Sequence, residues 1–169
     1  MKRHIVLVGL PGAGKSAVGA HVAQALGAPF HDGDVLIETH VGKPVAKIFA
    51  EDGESAFRAL ERTLVTEILT GPPAVIAPGG GWAAHSGNLK AAGNALVVHL
   101  AVEPQVALSR IGGRIRPVLG GDPKRGMERL ARDRLPLYMQ AEATVRTDNL
   151  GVPEVADLVV RLARSIGGW

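Results

Sequence analysis

The sequence predicts a three-layer α/β/α sandwich on a five-stranded parallel sheet, and three observations carry that expectation. Short apolar, β-branched runs alternate with amphipathic stretches from end to end, the pattern of a parallel α/β protein. An octapeptide, Gly9-Leu-Pro-Gly-Ala-Gly-Lys-Ser16, joins the first apolar run to the first amphipathic stretch. This Gly-x-x-x-x-Gly-Lys-Ser loop works only between a strand and a helix. The 169 residues, 46% of them hydrophobic, suit a single domain spanning residues 1–169.

The elements follow in order. His4–Val8 is a nearly unbroken apolar run, as a strand buried on both faces requires. Lys15–Leu26 reads as a helix, because Val18, Val22 and Leu26 recur every four residues and Gly27 stands at the C-terminal cap. Pro29–His31 is the second strand. Helices are expected at Asp34–Val41, Val45–Glu51 and Gly53–Leu69, about forty residues where a minimal crossover needs about a dozen. The excess marks a helical subdomain, about residues 32–61, with a task of its own. Ala74–Ala77 and Ala95–Leu100 are strands flanking a helix at Ser86–Ala92, and Pro104–Ile111 is the next helix. Gly112–Asp122 then concentrates four glycines and Pro117 around Arg114 and Arg116. Mobile backbone carrying cations is what a lid over a reacting phosphate needs, so a lid is expected at about 112–124. Helix Lys124–Leu135, strand Ala143–Arg146 and helix Pro153–Ile166 complete the chain.

Composition narrows the function classes. Without cysteine there is no disulfide framework and no thiolate metal site, which fits a cytoplasmic protein. The apolar run after Met-Lys-Arg-His ends at Leu10, too soon for a secretion signal, and no segment approaches the ~20 apolar residues of a membrane span. The overall charge of +3 conceals a basic segment, Arg110–Arg134, in which eight cationic side chains face three carboxylates. Such a segment implies an anionic partner. Aromatic residues for base stacking make up only 4% of the chain and none interleaves the cluster, so bound polyphosphate is the simpler expectation than nucleic acid. A solvated helix face is the alternative for Arg125, Arg129 and Arg132.

The octapeptide supplies the first chemistry. Its glycines let backbone N–H groups turn inward around phosphate oxygens, Lys15 brings a cation to the β/γ-phosphates, and the Ser16 hydroxyl is a Mg²⁺ ligand. A GTPase would carry an Asn-Lys-x-Asp element, which is absent, and a motor ATPase would need more chain. Small kinases remain. Asp32-Gly-Asp34 closes the second strand, and beyond the carboxyl ends of such strands ligands bind. Residues two apart on an extended segment share a side, so one carboxylate near Mg²⁺ and one near an acceptor hydroxyl make chemical sense. Helix capping is the competing reading for Asp34.

Beyond these motifs the chain resembles the shikimate kinase family along nearly its whole length. The resemblance rests on residues 9–16, Asp-Gly-Asp-Val-Leu-Ile-Glu at 32–38, and Ile-Phe-Ala-Glu-Asp-Gly-Glu-Ser-Ala-Phe-Arg-Ala-Leu-Glu at 48–61. Pro-Gly-Gly-Gly at 78–81, Arg-Ile-Gly-Gly-Arg-Ile-Arg-Pro-Val-Leu at 110–119 and Arg-Leu-Pro-Leu-Tyr at 134–138 complete it. It implies a P-loop kinase of the nucleoside-monophosphate-kinase type that moves the ATP γ-phosphate to the 3-hydroxyl of shikimate, toward chorismate and the aromatic amino acids. By the same resemblance Gly12, Ala13, Gly14, Lys15, Ser16 and Ala17 bind ATP, with Arg110 against adenine and Arg116 on the phosphates. Asp34 takes ring hydroxyls, including the attacking one, and Lys15 and Arg116 share the catalytic work. Arg58 and Arg134 hold the substrate carboxylate, beside the backbone of Gly79, Gly80 and Gly81. Ser16 and Asp32 hold Mg²⁺, Asp32 through water. On the residues alone, Arg58 reads as a helix salt bridge to Glu54 or Glu61; Glu61 could equally orient it.

Some features depart from the family pattern. Ala17 stands where the family often has Thr, and Pro78 precedes the glycines where Ser is frequent. The strand at 74–77 ends without the acid of a typical Walker B, which matches this family and shifts the metal's carboxylate duty to Asp32. Arg114 has no family role, and His31, His85 and His99 lack metal-ligand spacing. Phe49 and Phe57 are expected to line the substrate subdomain, although apolar packing is the more frequent role for such residues. A gluconate-type kinase and a nucleotide-binding module without catalysis are the rivals. The surviving Lys15, Ser16, Asp32 and Asp34 speak against the second. A monomer meets every requirement of this reading.

Overall fold

The computed structural model describes residues 1–85, 87–114 and 116–169. Five strands, β1 (Ile5–Val8), β2 (Phe30–Asp32), β3 (Val75–Ala77), β4 (Leu96–Ala101) and β5 (Ala143–Arg146), form one sheet in the order β2-β3-β1-β4-β5. All four pairings are parallel. β1 lies at the centre, with Ile5 and Leu7 facing one core and Val6 and Val8 the other. That alternation is the two-residue period of a strand, and burial on both faces explains why the run looks continuously apolar.

Helices α1 (Lys15–Leu26) and α7 (Val152–Ile166) cover the first face; their Val18, Val22, Val155 and Val159 complete its core. The other face is covered by α5 (Pro104–Ile111), α6 (Pro123–Tyr138) and the C-terminal part of α3 (Val45–Leu69). A third, small cluster joins α2 (Gly33–Val41) to the first half of α3 through Ile37, Ile48 and Phe57. The break expected before Gly53 is present: this residue has φ 82° and ψ 167° inside α3, a conformation that only glycine adopts without strain. Gly27 closes α1 in the left-handed conformation, as expected.

Four expectations need correction. Asp32 and Asp34 do not share an extended segment, because the chain turns into α2 at Gly33. Asp32 rather than Asp34 is the helix cap, its Oδ1 accepting from the N–H groups of Asp34 at 3.0 Å and Val35 at 3.2 Å. Helix α6 does not stop at Leu135 but continues past Pro136 to Tyr138. Proline removes one helical hydrogen bond, and burial of Tyr138 offsets that loss. The expected helix Ser86–Ala92 is only α4 (Asn88–Ala91), Ser86 lying outside the described residues; a 3₁₀ turn at Trp82–Ala84 precedes it. In the expected lid, Ile115 lies outside the described residues. A 3₁₀ turn at Pro117–Leu119 seats Leu119 in the core. Among the described residues no helix is long and apolar enough to cross a membrane.

Candidate active site

The carboxyl ends of β1, β2 and β3 open into one cavity of about 340 Å³. Its walls come from the 9–16 loop, the start of α2, the middle of α3, the glycine turn after β3, the 110–118 segment and α6. Every site residue expected from the sequence lines it except Ala13, whose side chain is buried in the core. The Ala13 N–H donates to Leu10 O at 3.0 Å.

At the loop end, Gly14 caps α1 in the left-handed conformation (φ 91°). Lys15 Nζ donates to the Gly9 and Leu10 carbonyls at 2.9 and 3.0 Å. Burial lowers the Lys15 pKa to about 8, with Asp34 the largest opposing influence. Ser16 Oγ donates to Asp32 Oδ2. Since Oδ1 is engaged in capping α2, Oδ2 is the oxygen that faces the loop. A hydroxyl and a carboxylate oxygen are hard donors suited to Mg²⁺. No group of three or more His, Cys, Asp or Glu side chains that could hold a metal ion occurs among the described residues. A cation here would therefore be completed by phosphate oxygens and water.

Arg116 and Asp34 meet across the cavity, Nη1 to Oδ2 at 3.9 Å. Burial and the neighbouring Asp32 charge raise the Asp34 pKa, against the pull of Arg116 and Lys15. Arg110 is held at the edge by Thr147, donating to its Oγ1 at 2.9 Å and its carbonyl at 2.6 Å. Arg114 lines the same edge and donates from Nε to Ile111 O at 3.1 Å.

At the far end, Arg58 and Arg134 are 8% and 7% exposed, unusual for arginine. Arg58 donates to Glu61 Oε2 at 2.9 Å, while Glu61 Oε1 accepts from Gly79 N–H at 2.8 Å. Burial raises the Glu61 pKa and Arg58 opposes it. Phe57 lies 5.1 Å from the guanidinium carbon of Arg58, ring centroid to Cζ. Arg134 Nη1 is buried without a hydrogen-bond partner among the described residues.

The glycine turn is shaped by these side chains. A Cβ on Gly79 would meet Glu61, one on Gly80 would lie 3.2 Å from Arg134 Nη1, and one on Gly81 would lie 2.6 Å from Arg58 Cζ. The glycines thus make room first for the arginine pair. Two participants escaped the sequence reading. Thr147 carried no motif, and Tyr138, whose Oη donates to Gly80 O at 2.7 Å, was hidden by the assumption that α6 ends before Pro136. The signal for Tyr138 was its i, i+4 spacing from Arg134, which puts both on one helix face; Thr147 had none.

Residues 11–164 match the family model described as shikimate kinase. The shikimate kinase of Thermobifida fusca is 43% identical over 158 residues, 92% of each chain. The structure titled shikimate kinase from Acinetobacter baumannii in complex with shikimate superposes with a TM-score of 0.92 at 32% identity, covering 98% of this chain and 94% of that one. A gluconokinase from Sinorhizobium meliloti reaches a TM-score of 0.65 at 19% identity, a likeness of fold alone. The family match thus begins within the phosphate loop, takes in both arginines of the far wall and ends in α7: the chain belongs to the shikimate kinase family.

Proposed function

We propose that the protein is a shikimate kinase, transferring the γ-phosphoryl group of ATP to the 3-hydroxyl of shikimate to give shikimate 3-phosphate and ADP. One observation carries this reading: a single cavity joins the phosphate loop to two nearly buried arginines, with Asp34 between them. Two arginine forks suit a small acid with one carboxylate, and shikimate is the ligand named for the Acinetobacter baumannii complex.

In this reading Gly12–Ala17 cradle ATP and Arg110, pinned by Thr147, flanks the adenine. Arg58 and Arg134 take the substrate carboxylate, and the glycine turn supports the ring. Asp34 orients the attacking hydroxyl and accepts its proton; its raised pKa moves it toward the working pH of a base. Arg116 and Lys15 stabilise charge on the transferring group. Mg²⁺, held by Ser16 and by Asp32 through water, would neutralise the phosphates. The 112–124 segment acts as a lid that excludes water. Residues 32–61 form the acceptor-binding subdomain. In the same reading the enzyme is a monomer acting on small molecules in the cytoplasm, a compartment that a cysteine-free sequence fits.

Coupled ADP release with shikimate, gluconate or no acceptor tests the function. Turnover is expected with shikimate alone; acceptor-independent turnover, or preference for gluconate, would refute it. A second expectation concerns pH. Bound phosphate favours the charged form of Lys15 and so raises its pKa from about 8. At pH 8 the free protein is partly deprotonated there and the complex is protonated. ADP binding should then take up about half a proton, and affinity should fall as pH rises further. Calorimetry in buffers of different ionisation enthalpy measures the uptake; none at pH 8 would remove Lys15 from this role.

A further inference from the structure

The glycine turn is pinned from both sides. On the α3 side Glu61 accepts from Gly79 N–H at 2.8 Å, and on the α6 side Tyr138 donates to Gly80 O at 2.7 Å. Tyr138 is 1% exposed, and His99 stacks on its other side with ring centroids 5.0 Å apart. It does not line the cavity, so its hydroxyl does not touch a ligand there. Its bond is to a backbone carbonyl 58 residues away in sequence, and that carbonyl belongs to the peptide unit whose N–H is that of Gly81.

A peptide is planar and, with no cis bonds among the described residues, its C=O and N–H point in opposite directions. A hydroxyl fixed on the carbonyl therefore fixes the aim of the amide. The Gly81 N–H has no acceptor among the described residues, although the Gly79 and Gly81 carbonyls accept from Trp82 at 3.0 Å and Ala84 at 3.1 Å. Gly81 itself lines the cavity. We propose that Tyr138 is a positioning residue for the acceptor substrate, holding the Gly80–Gly81 peptide so that its N–H faces the ligand that Arg58 and Arg134 bind. The inference rests on the shikimate kinase reading above. The two hydrogen bonds of one peptide reinforce each other, since an oxygen accepting from the N–H polarises the carbonyl. Because Arg134 sits one turn before Tyr138 on α6, the same helix face sets both the guanidinium and the amide.

Tyr138→Phe keeps the ring and removes the hydroxyl. The expected result is a rise in KM for shikimate of about tenfold, with kcat and KM for ATP within about a factor of two of the parent, the margin left for an interaction unused by donor or transition state. An unchanged shikimate KM in a folded variant, or a parallel rise in both KM values, would overturn the proposal. Tyr138 is the chain's one tyrosine, so the parent protein offers a second measurement that needs no variant. Its 13C-labelled ring resonance should shift when shikimate is titrated into the ADP complex, through the polarised Gly80 carbonyl. A resonance unmoved at saturating shikimate would also overturn it. Failure of the kinase reading would be recognised separately, by absence of shikimate-dependent turnover in the parent enzyme.

Discussion

Asp34→Asn is expected to lower turnover by about two to four orders of magnitude while ADP still binds. The amide preserves shape and one acceptor oxygen, so the acceptor hydroxyl can be positioned, but it cannot take up a proton at neutral pH. It also removes the carboxylate that faces Arg116 at 3.9 Å, freeing that guanidinium for the phosphates. Stability should move the other way. Burial and Asp32 raise the Asp34 pKa above its unfolded value. The folded state thus holds its proton more tightly, and stability falls as pH rises through the folded pKa. Above that pKa the ionised Asp34 therefore opposes folding, and the amide relieves that cost. Turnover numbers, an ADP titration and a melting curve on one preparation test the set. Retention of more than about a tenth of parental turnover, far above what loss of a general base allows, would exclude Asp34 as base. A lower melting temperature would contradict the electrostatic argument alone.

Gly81→Ala should produce the second largest effect, and through Arg58 rather than through the backbone. Gly81 has φ −87° and ψ −7°, which alanine adopts freely. Its Cβ, however, would lie 2.6 Å from Cζ and Nη2 of Arg58 and 2.9 Å from Nη1, well inside contact distance. The backbone here is held by the turn, so the guanidinium must yield. It would swing out of the position set by Glu61, and KM for shikimate should rise about ten- to a hundredfold, the value of hydrogen bonds to a charged group. KM for ATP should hold steady, because the phosphate loop lies at the other end of the cavity. A modest fall in melting temperature accompanies the change, since buried Glu61 loses its partner. Steady-state kinetics with each substrate varied in turn checks the split. An unaltered shikimate KM would mean that Arg58 does not hold the acceptor.

These expectations show which parts of the site could be read from residue order. The phosphate loop was legible because its chemistry is local: Gly14, Lys15 and Ser16 lie within one turn at the start of α1. The strands were legible because burial on both faces leaves an apolar run. Asp32 and Asp34 were recognised as a pair for a partly mistaken reason. Their convergence depends on the turn at Gly33 and on Oδ1 of Asp32 capping α2, not on strand alternation. The glycines at 79–81 were visible as glycines, but the side chains that require them stand on α3 and α6. Contacts such as Tyr138 to Gly80 become apparent only when distant segments are folded together. Pro136 misled in the same way, since its local penalty is offset by burial that no local window contains.

The end of the sheet opposite the cavity has a practical side. Trp169 Nε1 donates to Arg3 O at 2.9 Å, the Lys2 ammonium lies 4.6 Å from the Trp169 ring centroid, and Arg3 is paired with Glu142. Both ends of the chain meet where β1 begins, whereas the cavity opens where β1, β2 and β3 end. An affinity handle or a fluorescent fusion on either end would project away from the 112–124 segment and from the arginine pair. Surface immobilisation through such a handle would leave the mouth of the cavity facing solution, which suits the protein to real-time binding measurements with both substrates.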